Sequence, residues 1–455
     1  MISRLLDWVD VRLGATHFVA TSLRKAFPDH WSFMLGEINM YTFLVLLATG
    51  TFLAFFFDPN GAKTTYHGPY ALLDGTTMSH AYASALKLSF EVNGGLLIRQ
   101  VHHWAALIFV AGIIMHMGRV FFTGAFRKPR EINWLIGLAM LMLAMFEGFA
   151  GYSMPDDLMS GTGLRIAVSI LLSVPFVGAW ASSLLAGGVF PDTEVMIPRL
   201  FVTHVYIIPA ALATLMAMHL AILWRQKHTQ FPGPGRTETN VVGSPLVPRY
   251  AAKSMGLLAA VVAICFALGA IVQINPVWDW GPYKPWEVMS PAQPDWYVGW
   301  LDGALRLGPP VAFHFFGHMI PSPFWMAVLL PLLLFILIAA WPWIEAAWTN
   351  DHRSHHLLDL PRAVPVRTSM GVAIMVFCLG LLLAGSGDVQ ARYVHEPITT
   401  ITRFYQIFCL VAPIAAFFIT YAFCVELRAR RGVHEAPRVR LRRNAAGGYD
   451  EETIA

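Results

Sequence analysis

The sequence predicts an all-α polytopic membrane protein, and three observations carry the prediction. Of 455 residues, 56% are apolar and only 13% are Asp, Glu, Lys or Arg, about half the usual charged share of roughly 25%. Mean hydropathy is +0.54. Apolar runs last about twenty residues, enough for a helix to cross a bilayer, without the alternating polarity of a membrane β-barrel. A soluble globular domain, a disordered chain, a collagen and a coiled coil are excluded.

Eight stretches are long enough to span: 33–57, 97–122, 134–154, 200–224, 252–274, 323–344, 367–385 and 402–424. They are numbered here as the first to eighth spans. Residues 1–32 begin with charges and lack a signal-peptide cleavage pattern. They are expected to lie on the membrane surface, with Leu5, Leu6, Trp8 and Val9 as an interfacial face. A ninth apolar stretch, Leu164–Phe190, is interrupted by Pro175, Gly178, Gly187 and Gly188. Positive charge arbitrates. Eight spans with a cytoplasmic N-terminus put 23 Lys and Arg inside and 9 outside, whereas a ninth span would give 13 and 19. Residues 164–190 are therefore expected as short helices at the outer surface.

Four segments follow: a surface segment 1–32, a four-span bundle 33–230, a four-span second half 231–425, and a basic tail 426–455. The halves meet at the turn-rich breaker Gln230-Phe-Pro-Gly-Pro-Gly-Arg236. Residues 275–322 form a long loop rich in Pro and Trp, expected to be ordered at a membrane interface. The tail carries seven Arg over 428–443 and reads as solvated. Net charge is only +4 and by itself points to no partner; no nucleic-acid contact is expected. Cys265, Cys378, Cys409 and Cys424 lie in apolar runs without a CxxC pair, which argues against a thiolate cluster or a c-type haem.

Ionisable groups inside a bilayer are costly and usually functional. The second span carries His102, His103 and His116; the fourth carries His204 and His219. At about 100° per residue, His102 and His116 fall within about 40° of one face, and His204 and His219 within about 60°. His103 misses that face by about 140° and points elsewhere. A rise of about 1.5 Å per residue separates each pair by about 21–23 Å, one histidine per leaflet. One span intervenes, so the second and fourth run parallel, bringing His102 level with His204 and His116 level with His219. A lone intramembrane histidine is ordinarily a hydrogen-bonded core residue or a proton relay. Four, level in pairs, predict two bis-histidine b-type haems inside a helix bundle.

Two further patterns agree. Arg99 and Arg119 sit three residues outside His102 and His116 on the same face, where propionates need cations. Gly36 and Gly50 in the first span, and Gly137 and Gly151 in the third, repeat the 14-residue spacing of His102 and His116. They are expected to leave room for a flat macrocycle. His318 and the Asp351-His-Arg-Ser-His-His356 run read as interfacial or loop polar residues.

These residues resemble cytochrome b of the quinol–cytochrome c reductase (cytochrome bc) family over roughly 20–425. Arg99-Gln-Val-His-His-Trp104 and His116-Met-Gly-Arg119, continuing to Arg130-Glu131, resemble its second helix and the following loop. Gly151-Tyr-Ser-Met-Pro155 resembles the end of its third helix, and Pro294-Asp-Trp-Tyr297 its Pro-Glu-Trp-Tyr signature. The 15-residue spacing of His204 and His219 resembles the chloroplast-type and Gram-positive branches. Met34 stands where the chloroplast type tethers an extra haem through Cys, so none is expected. His30-Trp-Ser-Phe33, the Gln-Phe-Pro-Gly-Pro-Gly loop and Pro-Asp for Pro-Glu are most similar to the actinobacterial respiratory branch.

The resemblance implies a multi-pass protein of the bacterial cell membrane that oxidises menaquinol at an outer site. Asp295 is the implied proton acceptor, with Trp296 and Tyr297 excluding water and Tyr152 in the same pocket. One electron passes to a Rieske iron–sulfur protein. The other crosses two b haems, outer on His102/His204 and inner on His116/His219, to a quinone near the cytoplasm. Moving one charge against the membrane potential costs about 2.3 kcal/mol per 100 mV, which conserves energy. The inner quinone pocket is expected near Trp31, His219 and Lys253. Implied partners are a Rieske protein, a cytochrome c subunit and a cytochrome c oxidase supercomplex, with the complex a homodimer. The alternatives are a di-haem dehydrogenase anchor and a haem-free proton-coupled transporter.

Overall fold

The computed structural model describes residues 2–14, 16, 23, 25–191, 193–289, 293–432, 438–443 and 449–454. Among the described residues, eight helices are long and apolar enough to cross a membrane: Trp31–Ala54, Gly95–Phe122, Glu131–Ser153, Glu194–Gln226, Leu246–Ile271, Phe324–Thr349, Pro365–Gly385 and Ile398–Arg430. Number and order match the sequence reading. The fourth and eighth are longer than expected, because polar and charged turns at their ends continue the helix beyond the apolar run. Of the expected face on 1–32, the side chains of Leu5 and Leu6 lie outside the described residues, as do those of the tail from residue 431.

Local chemistry fixes the ends. His30 caps the first turn, its Nδ1 accepting from the Ser32 amide at 3.3 Å. The second span starts after Gly94, whose φ of +75° favours glycine. Residues 158–186 form two short helices, Leu158–Leu172 and Gly178–Ala186, as expected for an interrupted stretch. Asp157 caps the former, accepting from the amides of Met159 and Ser160 at 3.0 Å.

The first four spans close around Phe43, Phe109, Val110, Ile113, Leu141, Ala144, Ile208 and Leu212. The fifth packs on the first and second through Val261 and Cys265 against Tyr41, Val45, Val101 and Ala105. The described residues of the long 275–322 loop include a helix, Trp296–Leu307. Gly303 of that helix lies against the Leu381 carbonyl, so backbone meets backbone there and seats the loop on the seventh span. The seating presses Tyr297 into the core of the first four spans.

The Gln230–Arg236 breaker is no loose linker. Buried Gln230 donates through Nε2 to the carbonyls of Thr237 and Asn240 at 3.1 and 2.9 Å and accepts from the Val242 amide at 2.9 Å. Its backbone pairs with His356 and Leu358, so the connection is tied to the loop between the sixth and seventh spans. There Arg130 donates to the His355 carbonyl at 2.7 Å, giving the Asp351–His356 run a structural place.

Candidate functional site

The second and fourth spans bring four histidines together at two levels. The His102 and His204 rings have centroids 6.2 Å apart and planes at 75°. His116 and His219 repeat this at 6.4 Å and 71°. A metal–imidazole bond is about 2 Å, so two opposed bonds put ring centroids about 6.3 Å apart. Each gap would admit one metal ion between its two rings. Among the described residues no group of three or more His, Cys, Asp or Glu side chains could hold a metal. Two imidazoles are too few for a bare ion; a porphyrin would supply the remaining bonds.

The 15-residue spacing on the fourth span has a local cause. Thr203–Ile207 forms a π-helical turn at His204. Such a turn absorbs one extra residue, so 15 positions there reach the same two levels as 14 on the second span. Nothing in the residue types of this apolar stretch announced the turn.

The glycines divide. A Cβ on Gly36 would lie 3.3 Å from His116, on Gly50 3.1 Å from His102, and on Gly151 2.5 Å from His204. These three lie against the imidazoles, and all three also line the cavities beside them. A Cβ on Gly137 would meet nothing within 4 Å. It borders open space beside His116 and His219, as a flat group requires. The expected cations also fit. Arg99 lines the cavity beside His102 and donates to the Asn275 carbonyl at 3.0 Å, leaving Nε unpartnered. Arg119 lines the other cavity with Nε and Nη2 unpartnered. Buried guanidinium donors without acceptors call for an anion such as a propionate.

Beyond the metal-facing nitrogens the two levels differ. Nδ1 of His102 lies 2.9 Å from Thr49 Oγ1. That hydroxyl donates to the Val45 carbonyl at 2.7 Å, so it accepts from Nδ1–H and leaves Nε2 for the metal. Nδ1 of His204 donates to the Glu147 carbonyl at 3.0 Å, and the Glu147 carboxylate Oε1 is also 3.0 Å away. Nδ1 of His116 has no hydrogen-bond partner, while His219 faces the Asn133 backbone.

A cavity of about 250 Å³ adjoins the His102 level and is lined by Glu147, Tyr152, His204, Asp295 and Tyr297. Asp295 precedes the Trp296–Leu307 helix, yet its side chain does not cap it. Instead it receives His103 Nε2 at 3.0 and 3.2 Å and the Tyr297 hydroxyl at 3.0 Å. Asp295, Tyr297 and Tyr152 are thus brought together as expected. Trp296 is not among the cavity-lining residues and is 37% exposed, so water exclusion falls to Tyr297. His103 was missed as a site residue. Its offset from the His102 face was the available signal, but only the folded 275–322 loop shows what it meets.

The second cavity, about 430 Å³, adjoins the His116 level. Glu37 accepts from Ser254 at 2.6 Å, from Tyr41 at 3.3 Å and from Tyr250. Burial, with Lys25, Arg130 and Arg119 nearby, pushes His228 down to about 4, so it is neutral near pH 7. His219 lines this cavity as expected, but Trp31 is 71% exposed and Lys253 pairs with Asp29 instead. The expected wall gives way to Glu37, His228, Tyr250 and Ser254, from three separate segments.

The model of the family described as cytochrome b (N-terminal)/b6/petB matches residues 107–282. The cytochrome bc1 complex cytochrome b subunit of Mycobacterium leprae is 48% identical over 437 residues, covering 96% of this chain and 79% of that relative. The subunit of the same name from Streptomyces coelicolor is 48% identical over 431 residues, covering 94% and 78%. A solved chain of a hyperthermophilic respiratory Complex III has the same fold, with a TM-score of 0.69 at 21% identity, covering 93% of this chain and 99% of that one.

Proposed function

Because the chain belongs to the cytochrome b subunits of cytochrome bc1 complexes, we propose that His102/His204 and His116/His219 hold its two b haems and that Asp295 serves its quinol. It is a multi-pass subunit of a respiratory quinol–cytochrome c oxidoreductase. Identity through both halves sets aside a bare di-haem anchor and a haem-free transporter.

When bound, the haems supply a one-electron path between the two levels. The residues of this chain do the rest. Asp295, held by His103 and Tyr297, takes a proton from the quinol hydroxyl. Tyr297, buried against Gly148, closes the pocket toward the bundle and keeps water out; Tyr152 lines the same pocket. Arg99 and Arg119 offer their unpartnered donors to the propionates. Glu37, which accepts from Tyr41, lines with Tyr250 and Ser254 the pocket where the second quinone is reduced.

The charge distribution supports a cytoplasmic N-terminus, which makes His102/His204 the outer level. The actinobacterial relatives support menaquinol as substrate and the bacterial cell membrane as location. Further parts of this reading are a Rieske protein, a cytochrome c subunit, a dimeric complex and a cytochrome c oxidase supercomplex. Domain boundaries stay at 33–230 for the haem bundle and 231–425 for the second half.

The observation that carries this reading is the repeated opposition of imidazoles at 6.2 and 6.4 Å. A redox titration of the purified complex, followed in the b-type absorption band, tests it. Two one-electron waves from this subunit are expected; one wave or none overturns the assignment.

A further inference from the structure

We propose that Asp388 is a positioning residue for quinol oxidation: its carboxylate holds both flanks of the segment Pro294–Tyr297 and thereby sets where Asp295 stands. The proposal rests on the reading of Asp295 as the proton acceptor. Its basis is a polar clasp between residues far apart in the chain.

Asp388 lies in the first turn of a short helix, Gly387–Val394, between the seventh and eighth spans. Its Oδ1 accepts from Gln293 Nε2 at 3.0 Å and lies 3.2 Å from Arg306 Nη1. Gln293 stands two residues before Asp295, and Arg306 stands in the last turn of the helix Trp296–Leu307. One carboxylate oxygen thus ties the entry and the exit of the stretch that carries Asp295 and Tyr297. The base of the clasp is itself fixed. Asp388 Oδ1 also accepts from the Val389 amide at 2.9 Å. Gln390 donates to the Leu383 carbonyl at 2.6 Å and accepts from the Tyr405 hydroxyl at 2.8 Å, which fastens the short helix to the seventh and eighth spans. Asp302 aims Arg306, its Oδ2 accepting from Nε at 2.8 Å. The side chains of Asp302 and Asp388 are 12% and 15% exposed, so water screens these charges weakly.

The rest of the seating lacks direction. A Cβ on Gly303 would collide with the Leu381 carbonyl, and one on Gly385 with the Gly299 carbonyl. Such glycine contacts set how closely two helices approach. They carry no directional group, so they resist rotation and sliding weakly. Charge-assisted bonds at both flanks supply that constraint. Pro294 joins Gln293 to Asp295 with a φ locked by its ring, so a shift of Gln293 passes to Asp295 with little slack. Proton transfer needs donor and acceptor at hydrogen-bond distance, and a misplacement of about 1 Å can cost about a hundredfold in rate. Asp388 is not among the residues lining the cavity, so it acts through the segment and not on the quinol.

The test is steady-state quinol oxidation by the whole purified complex, with rates expressed per haem counted in a pyridine extract. Asp388→Ala removes both contacts and is expected to lower kcat about tenfold or more, with haem content unchanged. Asp388→Asn keeps an oxygen for Gln293 but loses the charge facing Arg306, and is expected in between. A double variant then joins Asp388→Ala to Asp295→Asn. Once residue 295 cannot accept a proton its placement no longer matters, so the double variant is expected to match Asp295→Asn alone. A merely structural Asp388 would lower the rate by the same factor in both backgrounds. That result, or full turnover in Asp388→Ala, overturns the proposal. Should Asp388→Ala not accumulate, Gln293→Ala takes its place and opens one flank of the clasp. It is expected to slow the unmodified complex and to leave the Asp295→Asn rate where it is; equal factors, or no slowing, overturn the proposal. Normal turnover in Asp295→Asn alone defeats the proton-acceptor reading beneath it, and the proposal falls with that reading.

Discussion

The His102 and His116 levels of the bundle hold their imidazoles at nearly the same separation, each with a glycine against an imidazole and an arginine with unpartnered donors, yet their other polar neighbours differ. Phe109 and Leu212 line both cavities and form the partition between them. On one side stand two carboxylates, Glu147 and Asp295, both tied to histidines. On the other stand Arg119, Arg130 and a neutral His228, with Glu37 held by hydroxyls. On the proposed reading, what repeats along the helices holds the cofactor and what differs directs the protons. A carboxylate near an open cavity suits proton release from a quinol. Hydroxyls and cations suit delivery to a reduced quinone.

The most severe way to break the comparison is to remove one level at a time. His102→Leu and His116→Leu are each expected to halve the b-type absorption of the complex and to leave one wave in a redox titration. Loss of both haems from either variant would show that the levels are not independent sites. Next in size, Asp295→Asn is expected to slow quinol oxidation about 10²–10⁴-fold, the usual range for a lost proton acceptor. Haem content stays normal, because Asp295 touches His103 and Tyr297 and neither haem ligand. Unchanged turnover removes Asp295 from the mechanism.

The glycines sharpen the comparison at smaller cost. Gly151→Ala drives a methyl to 2.5 Å from His204 and is expected to lower haem occupancy at the His102 level alone. Gly137→Ala meets no protein atom within 4 Å. The protein without haem is expected to tolerate it, while haem retention at the His116 level falls. Full retention in a quantitative haem assay would mean that Gly137 does not border the macrocycle.

Legibility in the sequence followed the range of the interactions. The spans were legible because burial in lipid needs about twenty apolar residues in a row. The imidazole pairs were legible because helical periodicity projects faces across long distances. The bond between His103 and Asp295 was not legible, since its partners are 192 residues apart and meet only when the 275–322 loop folds back. The wall of Glu37, Tyr250 and Ser254 was missed for the same reason. Lys253 looked like the better polar candidate by charge, but its helix position turns it to Asp29. The π-turn at His204 was hidden because no residue type in Thr203–Ile207 distinguishes a π-turn from an ordinary helical one.

The gentlest probe of the comparison is acid. His228 has an ordinary value of 6.5 and is pushed down to about 4 in the folded cavity, first by burial and then by Lys25, Arg130 and Arg119. Between those values the unfolded chain binds a proton that the folded one refuses. Stability is therefore greater above 6.5 and is lost as pH falls toward 4. That loss belongs to the His116 level, since His228 lines its cavity and not the other. Thermal release of the two haems, followed by absorption at several pH values, is expected to show the His116-level haem leaving at lower temperature as acid is added. His228→Gln is expected to flatten that dependence and leave the His102 level unaffected. The same pH response from both haems in the unmodified complex would mean that His228 does not distinguish them.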